Sequence, residues 1–255
     1  MPDWIGPWII TAIAIWLIQP VSRWIHKHLQ GLGLLLTNDP KGAVLMYYIS
    51  LLPGVFLHEL TQWVLALILR VKVKRFQLWP DRQKGGLIRL GLVDIADDTD
   101  MVRATLIGVV PVLVGIVVIA LIGGAHFDTS ALGSAFSTGD VNAIGSGLGK
   151  FFSTPDVLVW VYLVFAIANA MLPEEQDRIN WWLLAGALAA IAVFLWLLDL
   201  GILIQAGLDG PLADLARMMS LALTLSLGID RAVMGLISLT EWVFGRFFNR
   251  EVHYH

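Results

Sequence analysis

The chain has 255 residues, 57% of them hydrophobic and 15% charged, with a formal net charge of −3 and a mean hydropathy of +0.75. Soluble domains are about 45–50% apolar and about 25% charged, so this composition excludes a water-soluble globule and implies a polytopic membrane protein. The acidic balance offers no basic surface to nucleic acid. The absence of cysteine excludes disulfides, iron–sulfur clusters and cysteine nucleophiles, so any metal would need His, Asp, Glu or weaker ligands.

A hydrocarbon core of ~30 Å needs roughly 20 apolar residues of helix. In chain order, six stretches qualify or nearly do: about 4–20, 43–69, 104–124, 157–172, 180–199 and 211–228. The start, Met1-Pro2-Asp3-Trp4, lacks a basic region ahead of the first apolar run, which therefore reads as a retained span. Residues 232–248 read as an amphipathic helix that crosses again or lies on the surface. Trp4, Trp8, Trp24, Trp79, Trp181 and Trp182 lie near span ends, where tryptophan anchors to the interface. The expected class is thus an all-α bundle of about six transmembrane helices, with the lipid bilayer as its first partner.

Between the second and third spans, Val71-Lys72-Val73-Lys74 alternates with period two and Pro80 to Gly86 is a turn cluster. Leu87 to Val93 is again strand-like, so a small membrane-associated β-hairpin is expected at about 71–93. Asp94, Asp97, Asp98 and Asp100 follow, and carboxylates there suit the N-terminus of the next helix. Eight Lys and Arg residues lie between Arg70 and Arg103, against one (Lys150) in 125–156 and none in 200–210. The positive-inside rule puts 70–103 in the cytoplasm, and 21–42, 125–156 and 200–210 outside. The Gly- and Ser-rich segment 125–156 reads as an outer connection too short for a domain.

Two segments place polar groups where lipid makes them expensive. Within the second span lies His58-Glu59-Leu60-Thr61-Gln62. His58 and Gln62, four apart, share one helical face, and an ionisable group at membrane depth costs at least ~2.5–3.5 kcal/mol unless it faces protein. Late in the fourth span, Asn169 is followed by Pro173, Glu174, Glu175, Gln176, Asp177 and Arg178. Read alone, the first is a buried polar cluster that holds helices together, and the second a helix ended by proline.

Together the two segments resemble the site-2 protease family of intramembrane zinc metalloproteases. That family carries a membrane-embedded His-Glu-x-x-His helix and, later, an Asn-x-x-Pro-type segment followed by Asp-Gly. The order here is also similar: motif helix, β-hairpin, return helix, outer loop, then the Asp-bearing segment. The resemblance covers a core at about 43–185, flanked by an N-terminal span and connection (1–42) and C-terminal helices (186–255). It implies His58 and Asp177 as zinc ligands, Glu59 as general base and Asn169 as a substrate-positioning residue.

The chain departs from that pattern where it matters. Gln62 stands in place of the second histidine, and an amide oxygen is a weak zinc ligand where catalytic zinc wants three good protein ligands. Arg178 follows Asp177 in place of glycine and invites an ion pair. A literal Asp209-Gly210 occurs only later and is expected outside, as a turn before Pro211. His26, His28, His126, His253 and His255 are assigned to loops or the terminus. The expectation is therefore a catalytically inactive member that binds no cofactor. It would serve as a scaffold, a binding protein for a transmembrane peptide, or a subunit beside other membrane proteins. An active enzyme would use zinc held by His58 and Asp177, with Gln62 or water completing the shell. A small transporter relaying charge through Glu59, Asp177 and Arg217 is the third reading.

Overall fold

A computed structural model describes residues 5–77, 81–82, 88–89, 92–127, 141–172, 179–198 and 210–248. Seven helices occur among them. They are α1 (Ile5–Thr37), α2 (Pro40–Ile68), α3 (Met101–His126), α4 (Val141–Ser153), α5 (Val157–Ala170), α6 (Trp181–Leu197) and α7 (Pro211–Phe248). Large apolar side chains face outward, Trp16 at 74%, Ile68 at 68% and Leu121 at 66% exposed, as suits a bundle solvated by lipid.

Two helices run on well past the expected ends of their spans. α1 continues through 21–37, expected as an outer connection, and crosses Pro20 without stopping. The reason is a stripe of Val21, Ile25, Leu29, Leu32 and Leu35, all buried, at the spacing of one helical face. Arg23 and Lys27 break the run of hydropathy without breaking that stripe. α7 likewise joins 211–228 and 232–248 into one helix of 38 residues, about 57 Å long at 1.5 Å per residue. α1 and α2 meet in a tight turn through Asn38, whose φ of 51° is left-handed. Asp39 caps α2 by accepting from the Lys41 N–H, and Pro40 opens the helix.

Contacts give the direction of each helix. α1 and α2 are antiparallel about that turn, with Gly33 against Ala43. α2 and α3 are antiparallel about the hairpin, where Ala66, Val71, Ile95, Ala104 and Ile107 form one cluster. α7 runs parallel to α1: the Thr11 hydroxyl donates to the Ala216 carbonyl, Ile18 clusters with Leu223, and His28 meets Glu241. The start of α7 therefore lies at the hairpin end of the bundle. The charge-based reading put 200–210 at the end opposite the 70–103 connection; Gly210, next to the start of α7, is at the hairpin end, and residues 200–209 lie outside the described residues. α5 runs parallel to α2, since Tyr162 donates to the Ile49 carbonyl and Ala166 lies on Gly54. With 14 residues, about 21 Å of helix, it stops part-way through the bundle.

Four helices, α1, α2, α3 and α7, are long and apolar enough to cross a membrane, and a fifth crossing exists if α4 and α5 count as one broken span. About six were expected. That count is not confirmed at 157–172 and 180–199, where α5 has 14 residues and the described part of α6 has 17, against the roughly 20 of an average span. The segment 141–153, expected as loop, is the amphipathic helix α4. The hairpin is present as two antiparallel pairs. β1 (Val73–Gln77) pairs with β4 (Leu92–Ile95), and β2 (Asp81–Arg82) pairs with β3 (Ile88–Arg89). Asp81 and Arg82 thus belong to a strand rather than to the expected turn, and residues 83–87 lie outside the described residues. Of the four aspartates, Asp100 caps α3 by accepting from the Arg103 N–H. Asp97 instead pairs with Lys74.

Candidate functional site

His58, Glu59 and Gln62 are buried in α2, at 6%, 9% and 6% exposure. One turn earlier is Gly54, where a Cβ would lie 2.0 Å from the Ala166 carbonyl oxygen and 2.7 Å from the Ala170 Cβ. Only glycine permits this approach of α2 to α5. Gln62 Nε2 donates to His58 Nε2 at 3.0 Å, as i, i+4 neighbours on one face can. This makes His58 the Nδ1–H tautomer and commits the Nε2 lone pair, the pair a metal would take, to Gln62. The Thr61 hydroxyl turns back to the Leu57 carbonyl of its own helix.

The chemistry of this donor set does not suit catalytic zinc. Gln62 supplies only an amide, and that amide occupies His58 Nε2. Among the described residues, no group of three or more His, Asp or Glu side chains is placed to hold a metal ion. Asp177, the expected third ligand, and Arg178 lie outside the described residues, as do Asp209, His253 and His255. The described flanks of the Asp177 segment can be located. Met171 packs where a Gly115 Cβ would sit, and the Asn180 N–H donates to Thr105 Oγ1. Gly115 and Thr105 are ten residues apart on α3, about 15 Å. Counting from Ala66, which clusters with Ala104, His58 lies eight residues, about 12 Å, farther into the bundle. That depth falls between the two flanks.

Asn169, at the end of α5, belongs to a second polar group. Its Nδ2 donates to Asp230 Oδ1 of α7 at 2.8 Å and to the Phe165 carbonyl at 3.0 Å. Its backbone carbonyl lies 3.2 Å from His26 Nε2 of α1. A carbonyl only accepts, so His26 carries its proton on Nε2, and its Nδ1 accepts from the Tyr47 hydroxyl of α2. Tyr47, His26, Asn169 and Asp230 thus join α2, α1, α5 and α7 in one chain of hydrogen bonds, part-buried at His26 and buried between Asn169 and Asp230. Asp230 is fully buried and Asn169 is 3% exposed. Asn169 Oδ1 and Asp230 Oδ2 have no hydrogen-bond partner among the described residues.

The structure moves three histidines out of the loops to which they were assigned. His26 and His28 lie within α1, and His126 is the last residue of α3. His28 pairs with Glu241 at 2.8 Å and stacks on Trp24, while His126 stacks on Trp160 of α5. Arg217 is half exposed and pairs with Asp214 at 3.0 Å on its own helix. Sequence reasoning missed Asp230, although an acid between Ile229 and the next apolar turn of a long helix was a usable signal. At the hairpin base, the hydrogen bond from Lys74 to Asp97 raises the lysine pKa above its ordinary value.

No family model, curated protein or solved structure matches the chain.

Proposed function

We propose that this chain is a site-2-protease-like membrane protein that works without catalytic zinc, as a scaffold or binding subunit for a segment of another membrane protein. One observation carries the reading: the hydrogen bond between Gln62 Nε2 and His58 Nε2. A histidine at position 62 would offer a metal a second ring nitrogen. The glutamine instead closes on the histidine within α2, one turn from where Gly54 brings that helix against α5. The ordering of motif helix, hairpin, return helix and a broken helix ending near Asn169 supports the family resemblance. The β1–β4 pair is a two-stranded sheet, and such an edge can take up an extended partner strand without any metal.

Metal analysis of the purified protein tests this. Zinc far below one ion per chain is expected, together with no cleavage of a transmembrane peptide. Near-stoichiometric zinc with cleavage abolished by Glu59→Gln would overturn the proposal. Gln62→His should raise zinc retention above that of the unaltered protein, because it replaces the amide with a ring nitrogen on the same face.

A further inference from the structure

The geometry points to α4 as an in-plane membrane helix, whose exposed apolar edge rests in the boundary between lipid headgroups and acyl chains at the end of the bundle opposite the hairpin. α4 is bent by 96° from α5. Because α5 runs parallel to the spanning helix α2, α4 lies roughly across the bundle axis. The elbow is held from several sides. The Thr154 hydroxyl donates to the His126 carbonyl, Phe127 stacks on Phe151, and His126 stacks on Trp160. Asp156 turns the chain with a left-handed φ of 56°. Such a corner fixes the direction of α4 and does not leave it to swing.

The sequence of α4 suits that position. At 100° per residue, Val141, Ile144, Leu148, Phe151 and Phe152 fall within an arc of about 100°. Asn142, Ser146, Lys150 and Ser153 fall within an arc of about 80° on the other side. Ile144 and Phe151 are half-buried toward the protein. Val141, Leu148 and Phe152 are 78%, 42% and 71% exposed. That exposed edge continues into Leu158 and Val159 of α5, 80% and 53% exposed, which belong to the apolar outer surface of the bundle. The surface that covers the outer face of α5 therefore extends under α4. A helix with one apolar face and a polar face bearing Lys150 fits the lipid interface, where the ammonium reaches headgroup phosphates.

The absence of cysteine makes the test direct. Single cysteines at Asn142, Ser146, Leu148 and Phe152, carrying a nitroxide label, are reconstituted in phosphatidylcholine vesicles. Their spin relaxation is then measured with oxygen and with a water-soluble nickel chelate. Leu148→Cys and Phe152→Cys should show a severalfold higher ratio of oxygen to nickel accessibility than Asn142→Cys and Ser146→Cys. Nickel accessibility equal at all four sites would place the helix in water and overturn the proposal. Protection of Leu148→Cys and Phe152→Cys from both reagents would mean a protein partner or a second copy covers the edge, and would overturn it equally. All four sites are exposed in the structure, so cysteine there leaves the fold intact.

Discussion

The contact between Asn169 and Asp230 has a measurable signature of sign as well as size. Asn169→Ala removes the donor that reaches Asp230 Oδ1 at 2.8 Å. Asp230 is fully buried and its Oδ2 already has no hydrogen-bond partner among the described residues, so the carboxyl group would lose the bond that now serves it. A buried acceptor left without its bond costs about 1–3 kcal/mol. Interhelical hydrogen bonds inside membrane bundles average about 0.6 kcal/mol with a ceiling near 1.7, because helices separated in lipid find other partners. The lower scale governs the bond itself, and the orphaned carboxyl adds to it, so Asn169→Ala should destabilise by roughly 1.5–3 kcal/mol. Adding Asp230→Ala removes the orphaned group, and removing both partners of a buried bond is nearly neutral. The double variant should therefore be more stable than Asn169→Ala alone. The coupling should be about 0.6–1.7 kcal/mol, read from reversible unfolding in mixed micelles followed by tryptophan fluorescence. Single effects that add to within about 0.5 kcal/mol would show that the two side chains do not sense each other, and would refute the buried chain linking α5 to α7.

Gly54→Ala should destabilise by about 1–3 kcal/mol through overpacking, because its new Cβ meets the Ala166 carbonyl at 2.0 Å. Gly124→Ala, with nothing within 4 Å of the added carbon, should stay within about 1 kcal/mol of the parent, and thermal unfolding separates the two. Asp100→Ala removes the carboxylate that accepts from the Arg103 N–H at 3.0 Å and should cost about 1 kcal/mol of stability, with hydrogen exchange rising first in the opening turn of α3. The Lys74–Asp97 pair should matter little, since both side chains meet solvent. The raised lysine pKa means that any contribution is complete below the ordinary lysine pKa and vanishes as pH climbs through the raised one. Lys74→Met should leave the unfolding midpoint unchanged across neutral pH, and a loss there would show the hairpin base to be more rigidly held than its exposure implies.

The spans that were legible from sequence are those where apolar residues run without interruption. α2 and α3 match their expected ranges to within a few residues because hydropathy and helix coincide there. α1 and α7 were cut short for one physical reason: a helix facing protein on one side needs only a stripe. Val21, Ile25, Leu29 and Leu32 provide it while Arg23 and Lys27 lower the average. The spans expected at 157–172 and 180–199 are not confirmed, because apolar composition says nothing of whether a stretch is long enough to cross.

The candidate site shows a sharper division. His58, Glu59 and Gln62 were legible because a titratable pair in an apolar helix stands out by itself, and the spacing of four fixed which two would meet. The direction of their bond was read the other way, with His58 donating to Gln62, whereas the Gln62 amide donates to His58 Nε2. His26 and Asp230 were not legible, because their meaning lies in helix pairing. They meet the ends of α2 and α5 only if α1 extends to Thr37 and α7 runs parallel to it. Asn169 shows the consequence. Read with its downstream proline it resembles a substrate-positioning group, yet in the fold its amide nitrogen bonds to Asp230 and Phe165 and its carbonyl to His26. Buried polar groups of this kind hold helices in one register: the bonds from Tyr47 through His26 and Asn169 to Asp230 tie four helices together, whereas the bond from Gln62 to His58 lies within α2.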